Sequence, residues 1–382
     1  TNTGGYIGGP MISWIRAFQD KGYIFKRVAL AMSLFYCWAC IAAAPISLAP
    51  LLTQQIVGSV QYACPQIPGI VIGVVLAALF MLLSMKGIKI IGKACEMIVP
   101  FMIVAYVSCC IFVVVLYSDY VLLALQTIAE CAFTSNAILG GAVGYGFKSA
   151  ITFGFSRAAY SNGAGDGTSS IMSSAANSCN PSTQGLINMS SVFWDTMFVG
   201  AFTGVTVVTF LLANSASFTG QELESISLVF QTFESVPVFG PALLVFALTL
   251  FSFSTLLAWP IYSQRCIRHQ FGYKKEKRGQ IAVSILIVLV TIMIVVSSEF
   301  YSDSLWLLGD IAEPLLMITN IILIILTSKT IWKETRYFVY KKNLDCQVVY
   351  ETPSYQEAVQ DAIQDAKIDH VFEKHAKKKK AK

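Results

Sequence analysis

Apolar residues gather along this chain into runs of about twenty, the length a helix needs to cross about 30 Å of hydrocarbon. Eight such runs are present, at 28–50, 67–86, 95–117, 141–160, 185–213, 240–264, 280–298 and 305–328. None alternates with a period of two, and lipid offers no partner to an open strand edge, so all eight are predicted to be helices. The pattern is that of an all-α, polytopic membrane helix bundle. Polar interruptions divide the chain into a cytoplasmic N-terminal segment or loop at 1–27, a transmembrane domain at 28–328 and a cytoplasmic tail at 329–382. The stretch 120–133 is apolar but too short to cross, and is predicted to be a lid or interfacial helix on the outer side.

Charge placement orients the bundle. Basic residues are retained on the cytoplasmic side, so short loops should alternate between basic and bare. Arg16, Lys21, Lys26 and Arg27 precede the first run; Lys86, Lys89 and Lys93 follow the second; Arg265, Arg268, Lys274, Lys275, Lys277 and Arg278 follow the sixth. Loops near 51–66, 118–140, 214–239 and 299–304 hold no Lys or Arg. Both termini of the chain are therefore predicted to be cytoplasmic, with the protein multi-pass in a cell (plasma or inner) membrane.

Composition sharpens the class. Of 382 residues 55% are hydrophobic and 13% charged, with a mean hydropathy of +0.64, whereas a soluble domain carries about a quarter charged residues. An ordinary water-soluble enzyme is excluded. The net charge of +5 owes much to the tail, where an amphipathic helix at 355–368 and the basic end at 377–382 form a solvated extension or a membrane-surface anchor. His269, His370 and His375 all fall in polar stretches, so no apolar run supplies an imidazole. The chain opens on Thr1 and a loop-like TNTGGYIGGPM, and is expected to be a fragment without its N-terminal part.

Three groups of residues carry candidate chemistry. The segment 154–178, GFSRAAYSNGAGDGTSSIMSSAANS, sets Gly163, Gly165, Gly167, Asn162, Asp166 and Thr168 into an apolar surrounding, and a regular helix is predicted to break there. A break survives in hydrocarbon only if buried in protein or lining a wet cavity, and many secondary transporters build substrate and ion sites from such breaks. A polar loop leaving the membrane is the competing reading. Second, Ser252, Ser254 and Thr255 in LFSFSTLLAWP offer hydroxyls that either bond their own carbonyls or face a hard cation such as Na⁺, and Trp259 of the same stretch either packs or walls an apolar pocket. Third, Gln54 and Gln55 sit at the outer end of the first run, Asp195 in the fifth and Asp310 in the eighth. A charge at mid-membrane costs about 2.5–3.5 kcal/mol, so both aspartates are predicted to face the bundle interior as structural polar residues, paired with Arg157 or Lys148. Ser156 in GFS lacks a base, which argues against a serine hydrolase. Cys37 and Cys40 are predicted to pack rather than bind zinc, for want of a second pair. A Cys64–Cys131 disulfide is conceivable on an oxidising outer side.

Ordered motifs then carry a resemblance. Gly154, Arg157, Tyr160, Ser161, Asn162, Ala164, Gly165 and Gly167 resemble the signature GxxRGxFSNEAGxGS of the alanine or glycine:cation symporter family, also called sodium:alanine symporters or amino acid carrier proteins. Gly8-Gly9-Pro10-Met11, Pro181, Gln184-Gly185-Leu186, Phe193 with Asp195 and Thr196, FSFST with Trp259, then Trp306, Asp310 and Asn320 follow in order, over about 8–330. The resemblance implies a LeuT-type five-plus-five inverted-repeat transporter, here lacking its first three helices. It implies substrate contacts from Gln54, Tyr160, Asn162, Thr255 and Trp259, and a Na⁺ site from the Phe251 carbonyl, Ser254 and Thr255. The chain departs from the pattern at Ala158, Tyr160, Gly163 and Asp166, a lost glutamate and a gained aspartate among them. The expected activity is Na⁺-coupled symport of alanine or glycine by alternating access. The alternatives are an H⁺-coupled symporter and a non-transporting receptor or scaffold that retains the fold. The implied partners are a small amino acid and the lipid bilayer; Na⁺ is the coupling ion, no other cofactor or metal is expected, and neither nucleic acid nor an identifiable protein partner is implied.

Overall fold

A computed structural model describes residues 8–19, 21–86, 88–133, 154, 158, 161–174, 176, 178, 181–215, 225–236, 240–271, 276–300 and 304–340. Among them the chain is helical without strands: α1 Pro10–Ala17, α2 Tyr23–Ala43, α3 Ala49–Ala63, α4 Gly69–Lys86, α5 Ile88–Leu116, α6 Ser118–Phe133, α7 Thr168–Ser173, α8 Pro181–Val192, α9 Ala201–Ala213, α10 Ser225–Glu234, α11 Gly240–Phe271, α12 Glu276–Ser297 and α13 Ser304–Thr335. Six stretches are long and apolar enough to cross a membrane: Tyr23–Ala63, Cys95–Leu116, Pro181–Ala213, Gly240–Phe271, Lys277–Ser297 and Ile311–Thr335. A shorter apolar helix occupies Gly69–Ser84. Seven of the eight predicted runs thus contain an apolar helix; the run 141–160 lies almost wholly outside the described residues.

Three of these stretches run well past the ends the hydropathy pattern indicates, the last of them to Thr335 instead of 328. The first was expected to stop at 50, beside Pro45 and Pro50, yet it continues to Ala63. Both prolines lie inside one continuous helical stretch, so each removes an N–H from the ladder and has to be accommodated locally. A π turn at Ala44–Leu48 absorbs the ring of Pro45. Gln54 and Gln55 consequently lie well inside a helix rather than at its outer end. The sixth run, expected to stop at 264, continues as α11 to Phe271 and carries His269 with it. His269 is therefore not in a polar stretch but buried, 7% exposed, with Nε2 3.2 Å from Ser33 Oγ.

Helix α11 forms the centre of the bundle, packed on α2, α3, α5 and α12, while α4 lies on α12 and α13 on α2. Small side chains make this possible: Cys37, Cys40, Ala43 and Ala44 are fully or almost fully buried in the same cluster as Leu256, Leu257, Trp259 and Cys266. The packing role expected for Cys37 and Cys40 is what they have. The Ser263 hydroxyl donates to the Cys40 carbonyl at 2.8 Å, tying α11 to α2. Cys64 is exposed and carries a free thiol. The outward faces are apolar, with Trp38, Leu82, Val104, Val115, Ile281 and Ile325 each more than half exposed, the surface expected of helices solvated by lipid. The stretch 118–133 is a helix, α6, packed against α9 and α5.

Helix α1, whose first residue is the proline of GGPM, is fastened to the bundle by two polar contacts. Trp14 Nε1 donates to the Thr319 carbonyl at 3.2 Å, and Ser33 Oγ donates to the Met11 carbonyl at 2.7 Å. Because the single Ser33 proton is committed to Met11, the contact with His269 requires Nε2–H as donor. Ser33→Ala should therefore leave the buried His269 N–H without its acceptor and lower stability by about 1–3 kcal/mol. Detergent-solubilised Ser33→Ala protein that melts at the wild-type temperature would refute this role.

Candidate substrate and cation site

The expected break is present. Gly154, Ala158 and Ser161 are helical, Asn162 turns, residues 163–167 bend, and α7 begins at Thr168. Gly163 (φ +65°) and Gly167 (φ +81°) adopt left-handed backbone, which an L side chain enters at a cost of about 1–2 kcal/mol.

Breaking a helix frees carbonyls, and those of 163–166 each have a donor. The Gly163 carbonyl accepts from Ser169 N at 3.0 Å. Those of Ala164 and Gly165 both accept from Asn320 Nδ2, at 3.0 Å each. The Asp166 carbonyl accepts from the Tyr36 hydroxyl at 3.0 Å. Asn320 is on α13 and Tyr36 on α2, so the bend is held by two long helices; both residues are buried. The Asp166 carboxylate, 3% exposed, accepts from Thr168 N at 3.0 Å and from Thr168 Oγ1 at 2.9 Å. Among the described residues no basic side chain pairs with it.

Asn162 closes the outer edge of the bend. Its Oδ1 accepts from Ala164 N at 3.0 Å, and its Nδ2 donates to the Ala158 carbonyl at 3.1 Å and to Thr196 Oγ1 at 3.0 Å. Ser161 Oγ is 2.8 Å from the same Thr196 oxygen, which donates toward Asp195 Oδ2 at 3.3 Å. Thr196 and Asp195 belong to a π turn, Phe193–Gly200, that joins α8 to α9. Two irregular segments thus meet through Ser161, Asn162 and Thr196. Asp195 is exposed here rather than buried as expected, because the side of the π turn that carries it is not covered by any described helix.

On α11 the Ser254 hydroxyl donates to the Phe251 carbonyl at 2.8 Å and the Thr255 hydroxyl to the same carbonyl at 3.0 Å. Three oxygens are gathered in one turn. Ser254 is half-buried and Thr255 exposed, so their lone pairs are accessible. Trp259 is 8% exposed and stands edge-on to Tyr262 with ring centroids 5.5 Å apart, in the packed core. Of the two glutamines, Gln54 donates its amide to the Ser297 carbonyl at the end of α12, whereas Gln55 Oε1 accepts from Ser252 Oγ on α11 at 3.2 Å. Tyr160 and Arg157 lie outside the described residues, as does the side chain of Asp310 on α13.

The structure thus joins Asn162 to Thr196 and joins Phe251, Ser254 and Thr255 to one another, while Gln54 turns to α12. The motif reading assigned no role to Thr196, Tyr36 or Gln55. A hydroxyl or amide inside an apolar run was the available signal for each.

A model of the sodium:alanine symporter family matches residues 1–351. The chain belongs to that family. Sodium:alanine symporters are transporters rather than enzymes, and with six helices among the described residues able to cross a membrane the protein is a multi-pass membrane protein. It is 31% identical over 273 residues to an uncharacterized transporter of Haemophilus influenzae, covering 71% of this chain and 58% of that one. It is 28% identical to a sodium/alanine symporter of Methanococcus maripaludis (88% of this chain, 70% of the relative). It is also 28% identical to a putative sodium/proton-dependent alanine carrier protein of Bacillus subtilis (85% and 66%). The chain therefore spans between 58% and 70% of the length of these relatives.

Proposed function

We propose that the protein is a secondary active transporter that couples inward Na⁺ movement to uptake of a small neutral amino acid, alanine or glycine, by alternating access. The observation that carries this reading is the bend at 162–167, where left-handed glycines interrupt a helix between buried partners. Its N–H groups and the Asn162 and Thr196 side chains would take the substrate carboxylate and amine, with Tyr160, Gln54, Thr255 and Trp259 completing the contacts implied by the motif. Phe251, Ser254 and Thr255 would ligate Na⁺ through neutral oxygens, the donor type a hard cation takes. Arg157, Asp195 and Asp310 would support the site without touching substrate. The architecture we infer is the LeuT-type five-plus-five repeat in a cell membrane, with 28–328 as the transporting unit and cytoplasmic segments at 1–27 and 329–382.

Replacing external Na⁺ by choline at constant pH should reduce alanine uptake by the full-length protein in proteoliposomes at least tenfold. Unchanged uptake in choline would reject Na⁺ coupling. A second reading, proton coupling, is favoured by the buried Asp166 carboxylate, which has hydroxyl and amide donors but, among the described residues, no basic partner; uptake driven by an inward pH gradient in Na⁺-free medium would establish it.

A further inference from the structure

Four consecutive carbonyls, 163 to 166, are set free by the bend, and all four are engaged. One accepts from the bend's own continuation, and three accept from side chains of α2 and α13. Each donor takes one lone pair of its carbonyl and fixes the direction in which that carbonyl points. The dipoles left unpartnered at the bend are of the opposite sign: among the described residues the N–H groups of Gly165 and Gly167 have no acceptor. We propose that Tyr36 and Asn320 are positioning residues, a two-point clamp that holds the carbonyls at 164–166 and thereby fixes the neighbouring N–H groups toward the substrate carboxylate, with cation binding on α11. This inference rests on the transport reading above.

The geometry admits little else at these positions. A Cβ built on Gly167 would stand 2.8 Å from Asn320 Cγ and Oδ1, so the amide is seated directly against the bend. One Nδ2 serves two carbonyls at equal distance, which fixes their relative orientation. Tyr36 is fully buried, and its hydroxyl has the Asp166 carbonyl as acceptor. Preorganised dipoles lower the cost of ordering a site when the ligand arrives. Loss of a clamp should therefore weaken substrate binding specifically.

The test compares wild-type, Tyr36→Phe and Asn320→Asp full-length protein in proteoliposomes, recording alanine and Na⁺ half-saturation, maximal rate and melting temperature. Asn320→Asp keeps the shape but turns a carboxylate toward two carbonyls. It should raise alanine half-saturation at least tenfold, and Tyr36→Phe should raise it three- to tenfold. Half-saturation by Na⁺ should stay within twofold in both, since Ser254 and Thr255 are untouched. Unaltered alanine half-saturation in both variants would overturn the clamp while leaving transport intact. Equal losses for alanine and Na⁺ together with a lowered melting temperature would also overturn it, as the mark of a merely structural role. Wild-type protein that neither binds nor takes up alanine would instead overturn the reading on which the clamp rests.

Discussion

Gly167→Ala protein should fold less stably by about 2–5 kcal/mol and lose alanine uptake almost entirely. Two costs meet at this position. The backbone has φ +81°, where an L side chain adds about 1–2 kcal/mol. The added methyl would also collide with the ring of Pro10 and stand 2.8 Å from Asn320 Cγ and Oδ1, and overpacking of this kind costs about 1–3 kcal/mol. Relief requires Asn320 to move, which releases the carbonyls of Ala164 and Gly165. The effect on uptake should therefore exceed what the lost stability alone would produce. Gly204→Ala is the control: Gly204 lies within α9, with nothing within 4 Å of its added Cβ, and a helical alanine is favoured over glycine by up to about 1 kcal/mol. Melting in detergent and uptake in proteoliposomes read both effects. Gly167→Ala behaving like Gly204→Ala would contradict the account of the bend.

The second large effect is expected on α11. Joint replacement of Ser254 by alanine and Thr255 by valine deletes two hydroxyls that both donate to the Phe251 carbonyl. Such back-bonds add little to a helix, because the carbonyl remains available to its normal N–H partner. Stability should change by less than about 1 kcal/mol. Half-saturation by Na⁺ should rise at least tenfold, since two of three gathered oxygens are gone, and alanine uptake at low Na⁺ should fall with it. A variant with wild-type Na⁺ dependence would show that these hydroxyls only pack the helix.

Much of this was legible in the residue pattern, and the misses have physical causes. Long apolar runs are unambiguous in a chain that must satisfy its own backbone, so the helices at 95–117, 185–213 and 280–298 lie close to where the pattern puts them. The concentration of glycine and Asn162 after an apolar run announced the bend because only special backbone uses those residues there. Helix ends at 50 and 264 were misplaced since proline and charge mark boundaries only on average; the helix runs on through Pro45 and Pro50 by way of a π turn, and Arg265 and Arg268 continue α11. The misplaced end hid the burial of His269. Asn320, by contrast, was visible only as a motif member. Its two acceptors are 155 and 156 residues away, and no local pattern encodes a contact of that separation. The same applies to Tyr36, 130 residues from the carbonyl it holds. Choosing between Gln54 and Gln55 required knowing which helix each one faces, since adjacent helical residues point about 100° apart.

The most direct test is an electron cryomicroscopy map of the full-length protein with alanine and Na⁺ bound. The account places the substrate carboxylate within hydrogen-bonding distance of the N–H groups between Asn162 and Gly167, with the carbonyls of 164–166 still held by Asn320 and Tyr36. Alanine bound elsewhere, or an unbroken helix through 154–170, would contradict it.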